Sequence, residues 1–405
     1  WNQLIKRYEV RGEDANDYRD QRNLLLDELS KYVKFEAFED KDGAINVHSE
    51  GNYLVSGDDS HELTTAKVGN ATSMLKVIWA DDGEDFIKFF GDISYSSENN
   101  TDIGSIRSIM VARGLKVANY LDLPVRPNIA DYTDTTGVVD ETAYKAAMTK
   151  FDQDTEIYNK QISPSSITKL QSELDLYMHE IATSINDILC PNKDVVDSNG
   201  NALKILDVEN ASIGDDFDKS VGIELFSRKG MSRYTLQEIT LEGETEPIMA
   251  YVYNEEDSGN PDSLYSLAQL EVNPQLLRNP SMLPVKYNDQ SGHREGYNST
   301  IYENMLKAWD DAQLPMSPND MTTYSFTDYY RAMVGEIGNQ GHVWTASINQ
   351  QTLVTAEAEN NRQMVMGVSN EEELSDLVRF QHCYNASSRY ITVVDDMLRH
   401  LIERL

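Results

Sequence analysis

Ser369-Asn370-Glu371-Glu372-Glu373-Leu374-Ser375-Asp376-Leu377 opens a stretch that runs to Leu405 without a glycine or a proline. Its first four residues have the S-x-x-E pattern of a capping box. There a serine hydroxyl and a glutamate carboxylate take up backbone N–H groups that a helix start leaves unbonded. Leu377, Tyr384, Ile391, Leu398 and Leu405 then recur every seven residues. Phe380, Ser387, Val394 and Leu401 follow three positions after each of the first four. This is the a/d spacing of a helical seam, broken only by Ser387. At 1.5 Å per residue the helix is roughly 55 Å long. Such a helix cannot bury its stripe against itself, so Leu377, Phe380, Tyr384, Ile391, Val394, Leu398, Leu401 and Leu405 are expected to form an interaction seam against a partner.

The stripe widens toward its end, because Tyr390 and Met397 (g positions) and Ile402 (an e position) are apolar as well. A two-stranded coiled coil keeps those positions polar, so a bundle or a tube wall with several neighbours suits the pattern better. The expected cover is another copy or the chain's own third long helix; otherwise the helix is left partly mobile.

Working outward, 405 residues suffice for two to four domains with real cores. The formal charge of −33 excludes a general affinity for nucleic acid or an anionic membrane, both of which repel the chain. Two cysteines, Cys190 and Cys383, make no disulfide framework, and no CxxC or His/Cys ligand spacing occurs. No run of about 18 apolar residues reads as a membrane span, and no signal-peptide pattern is present. The chain opens at Trp1 inside a helical pattern, so a further N-terminal stretch is expected in the natural protein.

Ala15 to Tyr32 predicts an amphipathic helix with Leu24, Leu25 and Leu29 inward and Asp20, Arg22, Asp27 and Lys31 outward. Two Asp-Gly turns follow, Asp42-Gly43 between Phe35–Phe38 and Ile45–Val47, and Asp82-Gly83 between Leu75–Trp79 and Phe86–Phe90. Asp-Gly between apolar runs is a hairpin signal, so residues 33–95 are expected to be a small antiparallel β element. Helices are expected over Gly104–Asn119 and around Glu141–Phe151, with a surface loop over Pro124–Thr136. Ser163-Pro164-Ser165 starts a second long helix, with Ile167, Leu170, Leu174, Tyr177, Ile181 and Ile188 on one face, and Cys190-Pro191-Asn192 ends it. Residues 193–288 read as mainly β, with strands at Val221–Phe226, Tyr234–Leu241 and Ile248–Tyr253 and a short helix after them near Thr300–Trp309. The third long helix starts at Thr323-Tyr324-Ser325-Phe326, carries Tyr330, Val334, Ile337, Gly341, Trp344 and Ile348 in one row, and is interrupted by Gly367.

The fold class is therefore α+β: an elongated multi-domain chain, a long-helix bundle with a β hairpin element and an inserted mainly-β domain. The expected division is a first helical core segment over 1–192 (with the β element at 33–95), an outer mainly-β insertion over 193–300, a returning helical segment over 301–366, and the terminal coiled-coil helix over 367–405.

Catalytic and metal chemistry find little support. His179-Glu180-Ile181-Ala182-Thr183 begins like a zinc-protease helix, but Thr183 stands where the second histidine is needed, and His179 reads as solvent-facing. His382 and Cys383 are helical neighbours about 100° apart and cannot activate one another, so Cys383 reads as a small residue flanking the seam. Asp197-Ser198-Asn199-Gly200-Asn201 lacks the alternating ligands and twelfth-position glutamate of a calcium loop and reads as a hairpin turn. Gly57-Asp58-Asp59 and Gly214-Asp215-Asp216 are acidic turns. The sequon Asn70-Ala71-Thr72 is one of several that arise by chance in an asparagine-rich chain. No phosphate loop or G-x-S-x-G turn occurs. No cofactor, metal or catalytic residue is expected, and the chain reads as a non-enzyme.

Gly367-Val368-Ser369-Asn370-Glu371-Glu372-Glu373-Leu374, with Leu377, Phe380-Gln381, Tyr384-Asn385-Ala386 and Arg389, resembles the terminal signature of bacterial flagellar axial proteins. Ala15-Asn16-Asp17, Asp20-Gln21-Arg22 and Leu24-Leu25-Leu26-Asp27-Glu28-Leu29-Ser30 resemble a segment specific to the hook-associated protein 1 family. Gly104-Ser105-Ile106 with Arg113, and Ser325-Phe326-Thr327-Asp328-Tyr329-Tyr330 with Gly338, are similar to two further segments of it. The family's N-terminal helical region is missing from this chain.

The resemblance implies an extracellular structural subunit at the junction of flagellar hook and filament, polymerising through its terminal helices. It also implies export by the flagellar type III pathway without a cleaved signal. The partners so implied are the hook protein, hook-associated protein 3, an export chaperone and further copies of the chain. Two alternatives stand beside this: another axial protein (hook-associated protein 3 or flagellin), or a surface adhesin or hydrolase carried on the insertion.

Overall fold

The computed structural model describes the chain apart from residues 69–73, 90, 97–102, 134–136, 289–295, 312, 368 and 404–405. It forms two units, Trp1–Met333 and Val334–Leu405. The expected sequon at Asn70, the Phe90 end of the second hairpin, Val368 of the terminal signature and the seam residue Leu405 lie outside the described residues.

The first unit begins with helices α1 (Asn2–Glu9) and α2 (Asn16–Leu29). A four-stranded antiparallel sheet follows in sequence order: β1 (Glu36–Glu39), β2 (Ile45–Ser49), β3 (Asn52–Ser56) and β4 (Asp59–Ser60). The turn at Asp42-Gly43 joins β1 to β2 as the sequence predicts, with Glu39 opposite Ile45. Gly43 has φ +78°, and a Cβ there would sit 2.6 Å from Glu9 Oε2, so the position demands glycine twice over.

The second expected hairpin is corrected. Strand β6 (Leu75–Trp79) pairs with β5 (Leu63–Lys67), while the run after Asp82-Gly83 adds only the bridge Ile78–Asp85. Phe86 and Ile87 are both buried, and successive residues of a strand cannot both face one core.

The buried side of α2 also differs from expectation. Leu24 and Leu25 are exposed, Leu26 and Leu29 pack on the Val33, Val47 and Trp79 cluster, and Arg22 is only 6% exposed. An arginine is tolerated there because both of its Nη groups find acceptors, although Nε has none among the described residues. Nη1 bonds the Gly43 carbonyl at 2.6 Å, and Nη2 lies 3.5 Å from Glu39. Beside it the Asn2 side chain bonds both the N–H and the carbonyl of Ile45. α1, α2 and the first hairpin are thus stitched by polar groups.

Helix α3 (Ser105–Arg113) stops earlier than expected, at Gly114 with φ +84°. A side chain there would collide with Thr168 of the next long helix. Helix α4 (Glu141–Ile157), capped by Asp140, runs past Phe151 into a wide turn at Tyr158–Ile162. The long helix α5 (Ser166–Leu189) starts at its Ser165 cap and ends at Cys190-Pro191, as the sequence predicts. Its inward face is more polar than expected. Ile167 and Leu174 are exposed, whereas Thr168, Ser172, Glu173, Asp175 and Asn186 are buried with Leu176, Ile181 and Leu189. Each of Asp175 and Asn186 is used by backbone from other segments, which fixes their orientation.

Beyond α5, the strands β7 (Asn192–Val196), β8 (Ala202–Leu206), β9 (Phe226–Arg228), β10 (Tyr234–Ile239), β11 (Ile248–Tyr253) and β12 (Leu270–Val272) confirm a β-rich stretch. One sheet has the order β10-β11-β8-β7, and β9 pairs with β12. Asp197 anchors the β7–β8 turn by accepting from the N–H groups of Asn199 and Asn201. The expected strand Val221–Phe226 is corrected: Val221 makes one bridge to Ile213, and regular pairing starts only at Phe226. Helices α6 (Pro274–Arg278) and α7 (Ser299–Asp311) and the short strands β13 (Leu314–Pro315) and β14 (Thr323–Tyr324) close the unit.

Helix α8 (Phe326–Met366) starts in this unit. Phe326, Tyr329 and Met333 are buried among Leu123, Tyr158, Leu176 and Ile181. In the second unit the rest of α8 is joined through Gly367 to α9 (Asn370–Glu403). Both helices are where the sequence puts them, but the expected cover by the third long helix does not form. Every described residue of α9 is exposed except the half-buried Asp376.

Candidate assembly surface

Gly367 ends α8 because a Cβ at that position would lie 2.3 Å from the Gln363 carbonyl. The following Ser369 starts α9, its hydroxyl accepting from the Glu372 N–H at 3.4 Å. Glu371, Glu372 and Glu373 fill the first turn, where carboxylates face the positive end of the helix dipole. Ion pairs Asp376–Arg379 and Asp395–Arg399 span adjacent turns at 3.4 and 3.3 Å.

The seam between these polar residues is open to solvent from end to end. Leu377, Phe380, Tyr384, Ile391, Val394, Leu398 and Leu401 are all exposed, from 37% at Val394 to 74% at Tyr384. Tyr390, Met397 and Ile402 widen the stripe and are equally exposed. Cys383, beside the seam, is exposed too. Along α8, Val334, Ile337, Trp344 and Ile348 continue an exposed apolar row. Gly335, Gly338 and Gly341 stand beside it, and a Cβ at any of them would meet nothing within 4 Å. Burying a large apolar side chain is worth ~2 kcal/mol, so covering this seam stabilises an assembly by well over ~10 kcal/mol before ordering costs. The surface offers binding rather than chemistry.

Several residues whose types could do chemistry are engaged by the structure. His179 is not solvent-facing, as the sequence suggests. It is stacked on Tyr120 with ring centroids 3.9 Å apart, and its Nε2 meets Glu256 at 3.0 Å. Burial works against its cation, but hydrogen bonds and charge from Glu180 and Glu256 outweigh that and lift it to about 9. Cys190 is buried and desolvation pushes its thiol up to about 12, which leaves it unreactive. Arg233 bonds Asp187, and Tyr265 donates to Glu224. Among the described residues no group of three or more His, Cys, Asp or Glu side chains could hold a metal ion, and no helix is long and apolar enough to cross a membrane.

Sequence reasoning missed the Arg22–Gly43 lock and the His179–Glu256 pair. Both join residues far apart in the chain, and periodicity carries no signal for either.

Residues 1–122 match the family model described as the flagellar hook-associated protein FlgK helical domain. This is the part holding α1, α2, the first sheet and α3. The flagellar hook-associated protein 1 of Bacillus subtilis (strain 168) is 33% identical over 78 residues, which is 19% of this chain and 15% of that protein. The Escherichia coli (strain K12) protein of the same name is 32% identical over 78 residues, covering 19% of this chain and 14% of its own length. The matched stretch thus spans about a seventh of those relatives. Residues 1–122 are therefore similar to the helical domain of the flagellar hook-associated protein FlgK.

Proposed function

We propose that this protein is a structural subunit joining the flagellar hook to the filament, and that it assembles through the exposed seam of α9. The observation that carries the reading is the solvent-exposed stripe from Leu377 to Leu401, on a helix whose described residues are all exposed apart from the half-buried Asp376. A monomer gains nothing from such a stripe, and large exposed apolar patches mark association surfaces. The α8 row around Trp344 supports the same reading.

On this reading the partners are further copies of the chain, the hook protein on one side and hook-associated protein 3 on the other. An export chaperone shields α9 before assembly, export uses the flagellar type III route without a cleaved signal, and the assembled protein is extracellular. The β-rich residues 193–300 face outward in the assembly. The strongly acidic surface keeps subunits soluble until they assemble. The protein is not an enzyme on this view, and the insertion carries no hydrolase or adhesin.

The test is a strain from which the gene is deleted, examined by electron microscopy with antibody labelling of the parent strain. The reading predicts hooks without filaments, and label at the hook–filament boundary in the parent. Filaments on the hooks of the deleted strain, or label elsewhere, would overturn it.

A further inference from the structure

We propose that the His179 side chain is a proton-dependent latch that holds the loop from Asn254 to Leu267 onto helix α5, and that this loop opens locally when the imidazolium loses its proton.

Three segments meet at this point. From α5 come Asp175, His179 and Glu180. The turn after α3 contributes Tyr120 and Asp122, and the loop contributes Glu256 with Tyr253 beside it. His179 is sandwiched: its ring stacks on Tyr120, its Nε2 lies 3.0 Å from Glu256, and its Nδ1 lies 3.4 Å from Glu180. One turn earlier on α5, the buried Asp175 accepts from the N–H groups of Tyr120 and Leu267. Glu256 uses its other oxygen to accept from the Tyr265 N–H at 2.7 Å. The loop is therefore tied to α5 through two carboxylates, with one cation between them.

Charge makes this arrangement conditional. Asp175, Glu180 and Glu256 lie around a single imidazolium, Asp122 acts on Asp175, and Lys116 is already paired with Asp122 at the surface. Burial raises the Glu256 carboxyl, but the hydrogen bond and charge of His179 outweigh this and hold it below its ordinary value. A neutral imidazole would leave those carboxylates repelling one another around a desolvated ring. The loop itself keeps its shape when released. Arg228 Nη2 donates to the carbonyls of Ser232 and Asn254 at 3.1 Å, and its Nη1 bonds the Ser263 carbonyl.

The direction with pH follows from linkage. In the closed state His179 titrates near 9, and in the open state near its ordinary 6.5. The latch is at full strength below about 6.5 and is lost as pH rises through about 9. Between those limits the closed-to-open ratio falls roughly tenfold per pH unit.

Backbone hydrogen exchange of Tyr120, Tyr265 and Leu267, corrected for the intrinsic pH dependence of exchange, reads this ratio. The expected result is protection falling about tenfold per pH unit from 7 to 9, with no such slope in His179→Gln or in the amides of β10 and β11. Flat protection at the three amides in the unaltered protein, or the same slope in His179→Gln, would overturn the latch. If His179→Gln does not fold, Glu256→Gln and a direct NMR titration of the His179 ring decide. A ring titrating near 6.5 in the unaltered protein overturns the proposal, and one titrating near 9 that drops in Glu256→Gln supports it.

Discussion

The Tyr329 hydroxyl donates to the Glu173 carbonyl at 3.1 Å, bolting the first turn of α8 to the middle of α5. Tyr329 is fully buried, and its ring stacks on Tyr177 at 5.8 Å. Met333, one turn later, is the last buried residue of α8 among the described residues. Tyr329→Phe removes only the hydrogen bond and is expected to lower stability by about 1 kcal/mol. Tyr329→Ala opens a cavity and is expected to cost about 3–5 kcal/mol. Urea unfolding followed by tryptophan fluorescence measures both, and equal effects would show that the hydroxyl rather than the ring holds the helix.

Arg22 and Gly43 form the second bolt. Arg22→Ala leaves the Gly43 carbonyl and the Asn2 side chain short of a donor, with an expected loss of about 1–3 kcal/mol. Gly43→Ala is expected to cost at least ~1 kcal/mol, since a side chain there is strained at φ +78° and meets the Glu9 carboxylate. Thermal unfolding of the two variants checks this, and an unchanged midpoint for Gly43→Ala would contradict the tight approach of α1 to the β1–β2 turn.

The sequence announced most of the helical skeleton and little of the polar stitching. α5 and α9 were legible because long runs without glycine or proline, bounded by Ser165, Cys190-Pro191 and Ser369, leave a helix few other places to begin or end, and α8 because its apolar row persists to Gly367 despite Gly335, Gly338 and Gly341. The β1–β2 and β7–β8 turns were legible from Asp-Gly and Asn-Gly. Arg22, Asp175 and Asn186 were not, because burying such residues depends on partners brought from forty or more residues away or from another element. Hydrophobic periodicity therefore placed Leu24, Leu25, Ile167 and Leu174 inside when they are exposed. The helix of α9 and its apolar spacing were legible from the heptad alone, and the described residues of that stripe are exposed.

Asn186 shows how much one such residue holds. It accepts from the N–H groups of Leu225 and Phe226 and donates to the Phe226 carbonyl at 2.7 Å. Asn186→Leu strands three part-buried backbone groups at the start of β9, with an expected cost of about 2–3 kcal/mol. Limited proteolysis should then cut between residues 220 and 230 while leaving 1–122 intact. Protection across 220–230 in the variant would contradict the role assigned to the side chain.

The two cysteines give a simple check on burial. A thiol reagent at pH 8 is expected to modify Cys383 quickly in the native protein and Cys190 only after unfolding, because burial lifts the Cys190 thiol to about 12. Two fast-reacting thiols in the native state would contradict the packing of the α5 terminus.

On the proposed function, neighbours in an assembly cover the exposed stripe of α9. The most direct measurement uses a strain whose only copy of the gene carries Ile391→Asp and Leu398→Asp, two changes at exposed positions of α9. The account predicts that the protein folds, is exported and is found in the medium, while hooks purified from the strain carry neither the protein nor filaments. Hooks that retain the altered protein at the parental level and bear normal filaments would contradict it.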